Sequence, residues 1–312
     1  MKSDLTIHSK NKKFRPNEIS TGWSIGLNIF FTIMAIITVL PVALVIIISF
    51  SSMDSINKNG YRFIPMEWTI EAYTNLLKTG SSIADSYLIT IFYTFVGTAL
   101  SLFVMSMYAY VLAQKEFKLK SVLAFYTFFT TLFSGGLVPS YILNVRYLHL
   151  DNTIWIFILP SLVQAFNVII LRTFVQSSIP DSLFDSAKID GANDWGVYIR
   201  IVLPLFKAGL ATIGLFNVVS RWNDWFTGML YIENPKLVPI MTYLQKIQKD
   251  IEFLKRNSDL DGSPDAMEML RNIPTESTRM AITVIATLPL LVMYPFFQKY
   301  FIKGMTIGSV KG

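Results

Sequence analysis

Six stretches of the chain are apolar and almost free of charge: 24–53, 86–114, 121–145, 152–171, 201–220 and 280–298. Together they hold 143 residues and a single charged side chain, Lys207. A surface helix of a soluble protein alternates an apolar stripe with a charged face. Runs this long without charge instead predict helices of about 20 residues or more that cross a bilayer. A water-soluble enzyme is excluded, and so is an anchor that crosses once. The expected fold is all-α, a polytopic bundle of six transmembrane helices. Pro41, Pro160, Pro204, Pro289 and Pro295 fall inside these stretches. They are read as kinks, which membrane helices tolerate when neighbours satisfy the freed carbonyls. Lys207 lies about six residues, or roughly 9 Å of helix rise, inside the fifth stretch. It is either an anchor whose stem snorkels to the interface or a functional charge.

Two of the connecting segments carry their own pattern. Ile240, Leu244, Ile247, Ile251 and Leu254 are spaced by four, three, four and three. That is one face of a helix, with Lys246, Lys249, Asp250 and Lys255 elsewhere on the wheel. Residues 51–85 pass through Phe63-Ile64-Pro65 and Trp68-Thr69 to an amphipathic stretch, Ile70–Leu77. Each fits a helix lying on the bundle or the membrane surface, with a docking site for a partner as the alternative.

Charge sets the expected orientation. The net charge of +6 would suit a nucleic-acid binder, but its distribution reads as topology, and no nucleic-acid partner is expected. Fourteen Lys and Arg residues fall in the arm 1–22, the 113–120 turn, the 172–200 loop and the C-terminus, against four in the short loops between them. The positive-inside rule then places both termini in the cytoplasm. The 226–277 segment, with six basic and eight acidic residues, is read as a long external loop. The domain division is therefore a cytoplasmic arm, 1–22, and one six-span transmembrane domain, 23–312. The first apolar run, near 30 residues, is too long for a signal peptide and is read as an uncleaved span. The chain has no cysteine and two histidines, His8 and His149, so no metal site is expected. It has no G-x-x-x-x-G-K-[ST] loop either, so it is not expected to hydrolyse ATP.

The 178–200 loop is the most structured connector. Pro180 can open a helix, with Ser178 as a possible cap. Leu183, Phe184, Ala187 and Lys188 give it one face, and Gly191 can stop it in the left-handed conformation. Asn193 fits the cap of a second helix, and Asp194 suits its positive end. That helix continues through Trp195 and Tyr198 into the fifth stretch. Asp185-Ser186-Ala187, three residues, Gly191, nine residues and Ile201-Val202-Leu203-Pro204 resemble the EAA loop of permease subunits of binding-protein-dependent ABC importers. That pattern is Glu-Ala-Ala-x3-Gly-x9-Ile-x-Leu-Pro. Every spacing agrees, but Asp185 stands for the usual Glu and Ser186 for the first Ala. Asp190-Gly191-Ala192 and Trp195 are similar to the carbohydrate branch. So are Ser134-Gly135-Gly136-Leu137-Val138-Pro139, Asn152-Thr153 through Leu159-Pro160, Ala165-Phe166-Asn167, Trp222-Asn223-Asp224-Trp225-Phe226 and Gly308-Ser309-Val310-Lys311-Gly312.

The resemblance implies a type I, maltose-type importer for oligosaccharides or polysaccharide fragments in the bacterial cytoplasmic membrane. It implies a second, different permease subunit, two ATPase subunits that hold ATP and Mg, and an extracytoplasmic solute-binding protein. It assigns ATPase coupling to Leu183, Asp185, Ser186, Ala187, Asp190, Gly191 and Ala192. A sugar path needs polar and aromatic side chains within the bundle, which are otherwise expensive there. Tyr93, Gln164, Asn167, Asn217, Trp222, Asn223 and Trp225 are the candidates. Bonds between helices and interfacial anchoring are the plainer roles for the same residues. An importer for another solute class is an alternative. An ion-coupled transporter is a weaker one, because the six stretches contain no carboxylate.

Overall fold

The computed structural model describes residues 21–78, 81–256 and 276–309. The arm 1–20, residues 257–275 of the long loop and the terminal residues 310–312 lie outside the described residues. The helices are α1 (Thr21–Ser49), α2 (Met53–Asn59), α3 (Glu71–Lys78), α4 (Ser81–Ala113), α5 (Lys120–Leu132), α6 (Leu137–Ile142) and α7 (Ala165–Ser178). Then come α8 (Asp181–Ile189), α9 (Asp194–Val197), α10 (Leu203–Leu205), α11 (Lys207–Trp222), α12 (Phe226–Tyr231), α13 (Ile240–Arg256) and α14 (Glu276–Ser309). The extended backbone that pairs among the described residues is a single bridge, Ser51 to Trp68.

The all-α membrane fold is found, but the six stretches are not six straight helices. Three segments are long and apolar enough to cross a membrane: Gly22–Ser49, Ile83–Ala113 and Glu276–Pro295. Two more crossings exist only if bent pairs are joined. The third stretch bends by 114° between Lys120–Leu132 and Leu137–Tyr147, and the fifth by 77° between Asp194–Leu205 and Lys207–Trp222. The fourth stretch is not helical throughout. A 3₁₀ turn at Ile154–Phe157 is followed by irregular chain through Pro160, and α7 starts only at Ala165. Pro160 is thus a break between elements, and Pro204 sits in a three-residue helix just before a bend. Pro41, Pro289 and Pro295 lie within long helices, as expected. Lys207 is the first residue of α11 and is exposed at the bend after Phe206.

α4 is the central post. It packs on α7 and α11, while α14 packs on α11 and α1. A continuous buried set, Met105, Ala109, Leu171, Val175, Val202, Phe206 and Ile213, joins α4, α7, the 198–206 segment and α11. At the other end of α4, α3 and α13 fold onto the bundle. Ala72 and Leu76 of α3 meet Leu244 and Ile247 of α13 and Ala281 and Ile282 of α14. The 240–254 stripe is therefore real, and its described members, Ile240, Leu244 and Ile247, are spent on packing. α1 differs from the other long helices, since nearly all its side chains are exposed.

Candidate functional site

The loop after α7 builds a compact helical unit from local signals. Pro180, with φ of −62°, occupies the cap position of α8, and Asp181 lies in its first turn. Ser178 does not cap it. That residue is the last of α7, and the turn to α8 is made by Ile179 and Pro180. α8 ends as the sequence predicts. Gly191 has φ of +74°, a conformation that costs a residue with a Cβ roughly 1–2 kcal/mol. Its N–H donates to Lys188 O at 3.0 Å, and the Ala192 N–H to Ala187 O at 2.9 Å. These bonds take up carbonyls that a helix end leaves open. The Asn193 side chain then accepts from Gly196 N–H at 2.7 Å and opens α9. α9 runs on as a π-helical turn, Tyr198–Val202, and reaches α11 only after the bend.

α8 has two faces. Ala187 is buried, and Phe184 packs beside it against Tyr110 of α4, with ring centroids 6.3 Å apart. Tyr198 closes the layer, its hydroxyl 2.7 Å from Ser106 Oγ and its ring 5.6 Å from that of Tyr110. The loop is thus seated on the C-terminal end of α4 through aromatic contacts. The single face expected of Leu183, Phe184, Ala187 and Lys188 is divided: Phe184 and Ala187 turn inward, while Leu183 and Lys188 are exposed with Asp185, Ser186, Ile189 and Asp190. Ile189 is 86% exposed, the most open large apolar side chain among those described. Ser186 bonds its own helix, Oγ to Ser182 O at 2.8 Å. Two ion pairs, Lys115–Asp181 and Lys188–Glu116, tie α8 to the turn between α4 and α5. The hydrogen bonds that Lys115 donates to Asp181 and Lys188 donates to Glu116 hold both amines above the usual lysine range. Both pairs are exposed, so they orient α8 more than they stabilise it.

The path candidates separate by burial. Tyr93 is wholly buried, stacks on Phe157 at 4.6 Å and donates its hydroxyl to Arg221 O at 2.9 Å. Trp222 is wholly buried and donates Nε1–H to Ala286 O of α14 at 2.8 Å. Asn217 is also buried; its Nδ2 bonds Ile213 O, while its Oδ1 has no partner among the described residues. Asn167 donates to Gln164 Oε1 at 2.7 Å, with Asn167 buried and Gln164 half-buried. Asn223 and Trp225 are exposed just beyond the end of α11. The seven therefore do not share one surface.

What brings several of them together is Arg221, whose individual part the sequence does not disclose. It is 3% exposed in the middle of the bundle. Its Nη1 donates to Phe157 O at 2.6 Å, and its Nη2 to Ser101 Oγ at 2.6 Å and Ser161 O at 3.0 Å. The first carbonyl ends the 3₁₀ turn and also accepts from Ser161 Oγ at 3.1 Å; the second lies in the irregular passage, where no helix ladder would satisfy it. Gly97 makes room, since a Cβ there would stand 2.8 Å from Arg221 Nη1. The readable signal is a lone arginine one residue past an apolar stretch, with Gly97 and Ser101 one helical turn apart on α4.

Residues 92–307 match the family described as binding-protein-dependent transport system inner membrane component. The chain is 39% identical over 283 residues to the polygalacturonan/rhamnogalacturonan transport system permease protein YtcP of Bacillus subtilis, covering 91% of this chain and 96% of that one. It is 25% identical over 294 residues to the arabinooligosaccharides transport system permease protein AraQ of Halalkalibacterium halodurans, covering 92% and 96%. Among solved structures it resembles a chain of a bacterial ABC transporter involved in the import of the acidic polysaccharide alginate. The TM-score is 0.77 and the identity 30%, over 91% of this chain and 99% of that one. The long apolar helices and the α8 loop are thus those of a membrane transport subunit, and the chain belongs to the family of inner-membrane components of binding-protein-dependent transport systems.

Proposed function

We propose that the chain is one of two different permease subunits that together enclose a channel for oligosaccharides or polysaccharide fragments. In this reading α8 lies in a cleft of one of two ATPase subunits, which bind ATP and Mg and hydrolyse the nucleotide. A solute-binding protein delivers the sugar at the opposite end, and both termini lie in the cytoplasm. The observation that carries the reading is the two-faced α8. Its inner face is fixed to α4 through Ala187 and Phe184, beside Tyr198 of the following π-helical turn. Its outer face offers Leu183, Ile189 and Asp185, and Asp185 makes no ion pair or hydrogen bond among the described residues. An amphipathic helix presented this way suits insertion into a partner's groove. Movement of that groove on ATP binding then passes to α4 as a rigid displacement, and the bundle alternates between outward- and inward-open forms. The two forms must differ in affinity for ATP and loaded binding protein, or nothing couples them. The carbohydrate assignment rests on the relatives in Bacillus subtilis and Halalkalibacterium halodurans and on the alginate transporter. The basic 113–120 turn and the α8 loop, joined by the two ion pairs at one end of α4, support a common cytoplasmic side.

Ile189→Asp places a charge on the outer face without touching the bundle. We expect normal amounts of the chain in the membrane, at least about tenfold weaker co-purification with the ATPase subunit, and loss of oligosaccharide uptake. Unchanged uptake would remove α8 from the coupling role. Of the path candidates, Asn223, whose Nδ2 donates to Val219 O at 2.9 Å, and Trp225 are exposed enough to meet a sugar. Asn223→Ala and Trp225→Ala are expected to change the relative uptake of short and long oligosaccharides while leaving the amount of folded chain unaltered.

A further inference from the structure

Below α8, at the end of the apolar run of α4, is a cavity of about 280 Å³. Lys115, Lys120 and Arg172 line it with one carboxylate, Asp181, and its walls include Val175 and Phe184. Two of the three cations have partners. Lys115 pairs with Asp181, and Lys120 donates to Lys115 O at 2.9 Å. Arg172 has none among the described residues: it is half-buried, and its Nε is fully shielded from solvent without an acceptor. No described residue accepts from its two Nη groups, so they remain available to an anion in the cavity. Its planar fork fits two oxygens of a phosphate, and Lys120 keeps two ammonium protons free. One carboxylate against three cations leaves the cavity an excess of positive charge.

We propose that this cavity is a binding site for a phosphate group, with Arg172 as the bidentate donor and Lys120 as the second cation. The depth fits either source of that chemistry. The site opens where an apolar span meets water, the level of an anionic lipid headgroup, and a soluble phosphorylated compound could enter from the aqueous side. The bound anion competes with Asp181 for Lys115. Since Asp181 is the first residue of α8, occupancy loosens the tether of that helix. This regulatory consequence rests on the coupling role proposed for α8, whereas the binding itself does not.

The test measures binding to the purified full chain in a neutral detergent, with dioleoyl phosphatidylglycerol followed by native mass spectrometry and inorganic phosphate by calorimetry. Arg172→Gln is compared with Arg172→Lys and with the control Arg62→Gln, which removes a cation from an exposed loop at the other end of the bundle. We expect affinity for at least one probe to fall at least about tenfold in Arg172→Gln, less in Arg172→Lys, and hardly at all in the control. Binding of the lipid alone assigns a headgroup site, and binding of phosphate assigns a site open to soluble anions. No binding of either probe, or an equal loss in Arg62→Gln, overturns the proposal. Monodisperse elution of each variant separates lost binding from lost folding. Failure here would leave the transporter reading untouched, because that is tested at Ile189 by ATPase association and uptake.

Discussion

Replacing Arg221 with methionine is expected to destabilise the bundle by about 3–5 kcal/mol, although it removes a charge from an apolar interior. Two effects oppose one another. Keeping a guanidinium at membrane depth costs roughly 2.5–3.5 kcal/mol on insertion scales, and methionine is spared that. However, three charge-assisted hydrogen bonds disappear, each contributing about 1.5–3 kcal/mol. Among the described residues Phe157 O then keeps only the bond from Ser161 Oγ at 3.1 Å, and Ser161 O is left in a segment with no helix ladder to take it up. The loss exceeds the relief. Thermal unfolding in detergent should show a midpoint lower by roughly 5–10 °C. Gly97→Ala should act in the same direction, because its Cβ would stand 2.8 Å from Nη1 and 2.9 Å from Cζ. A flexible arginine could move aside, but this one is held at three points. The two substitutions are therefore expected to be strongly non-additive, with Gly97→Ala nearly harmless in the Arg221→Met background. Additive effects would mean that Gly97 is not there for the arginine.

The same site shows why part of this molecule is legible in its sequence and part is not. Local signals worked. Pro180, Gly191 and Asn193 act within four residues of themselves, and the start and end of α8 fall where they predict. The 240–254 stripe likewise follows from periodicity, and its described members are buried. Apolar composition, by contrast, reports the solvent of a segment and not its backbone. The fourth stretch is as free of charge as the second, yet one is a turn, an irregular passage and a 14-residue helix, while the other lies within a 33-residue helix. The difference is made by a residue 60 or more positions away, since Arg221 supplies the donors that allow the irregular backbone. The face drawn through Leu183, Phe184, Ala187 and Lys188 divides for a related reason. A short helix has too few apolar positions to define its buried face, and tertiary contact chose Phe184 and Ala187.

Gly191→Pro is expected to disconnect the loop from the bundle while leaving the bundle intact. Proline holds φ near −65°, against the +74° observed. It also lacks the N–H that now donates to Lys188 O, and it disfavours the helical conformation at Asp190. The exit of α8 must then change direction, and the entry to α9 at Asn193 moves with it. None of this lies in an apolar stretch, so insertion into the membrane should stay within about twofold of the unsubstituted chain. If α8 transmits the ATPase movement, hydrolysis stimulated by the loaded binding protein should fall by at least about tenfold, the range of a lost coupling of 1–3 kcal/mol. Gly191→Ala gives the scale. It keeps the N–H and meets nothing within 4 Å, so only the conformational cost of roughly 1–2 kcal/mol applies. Its stimulation should fall between those of glycine and proline. That order, Gly above Ala above Pro, distinguishes a lever that must hold one shape from a loop that merely connects. If the proline variant kept full stimulation and uptake, the helix would be a passive connector, whatever its partner.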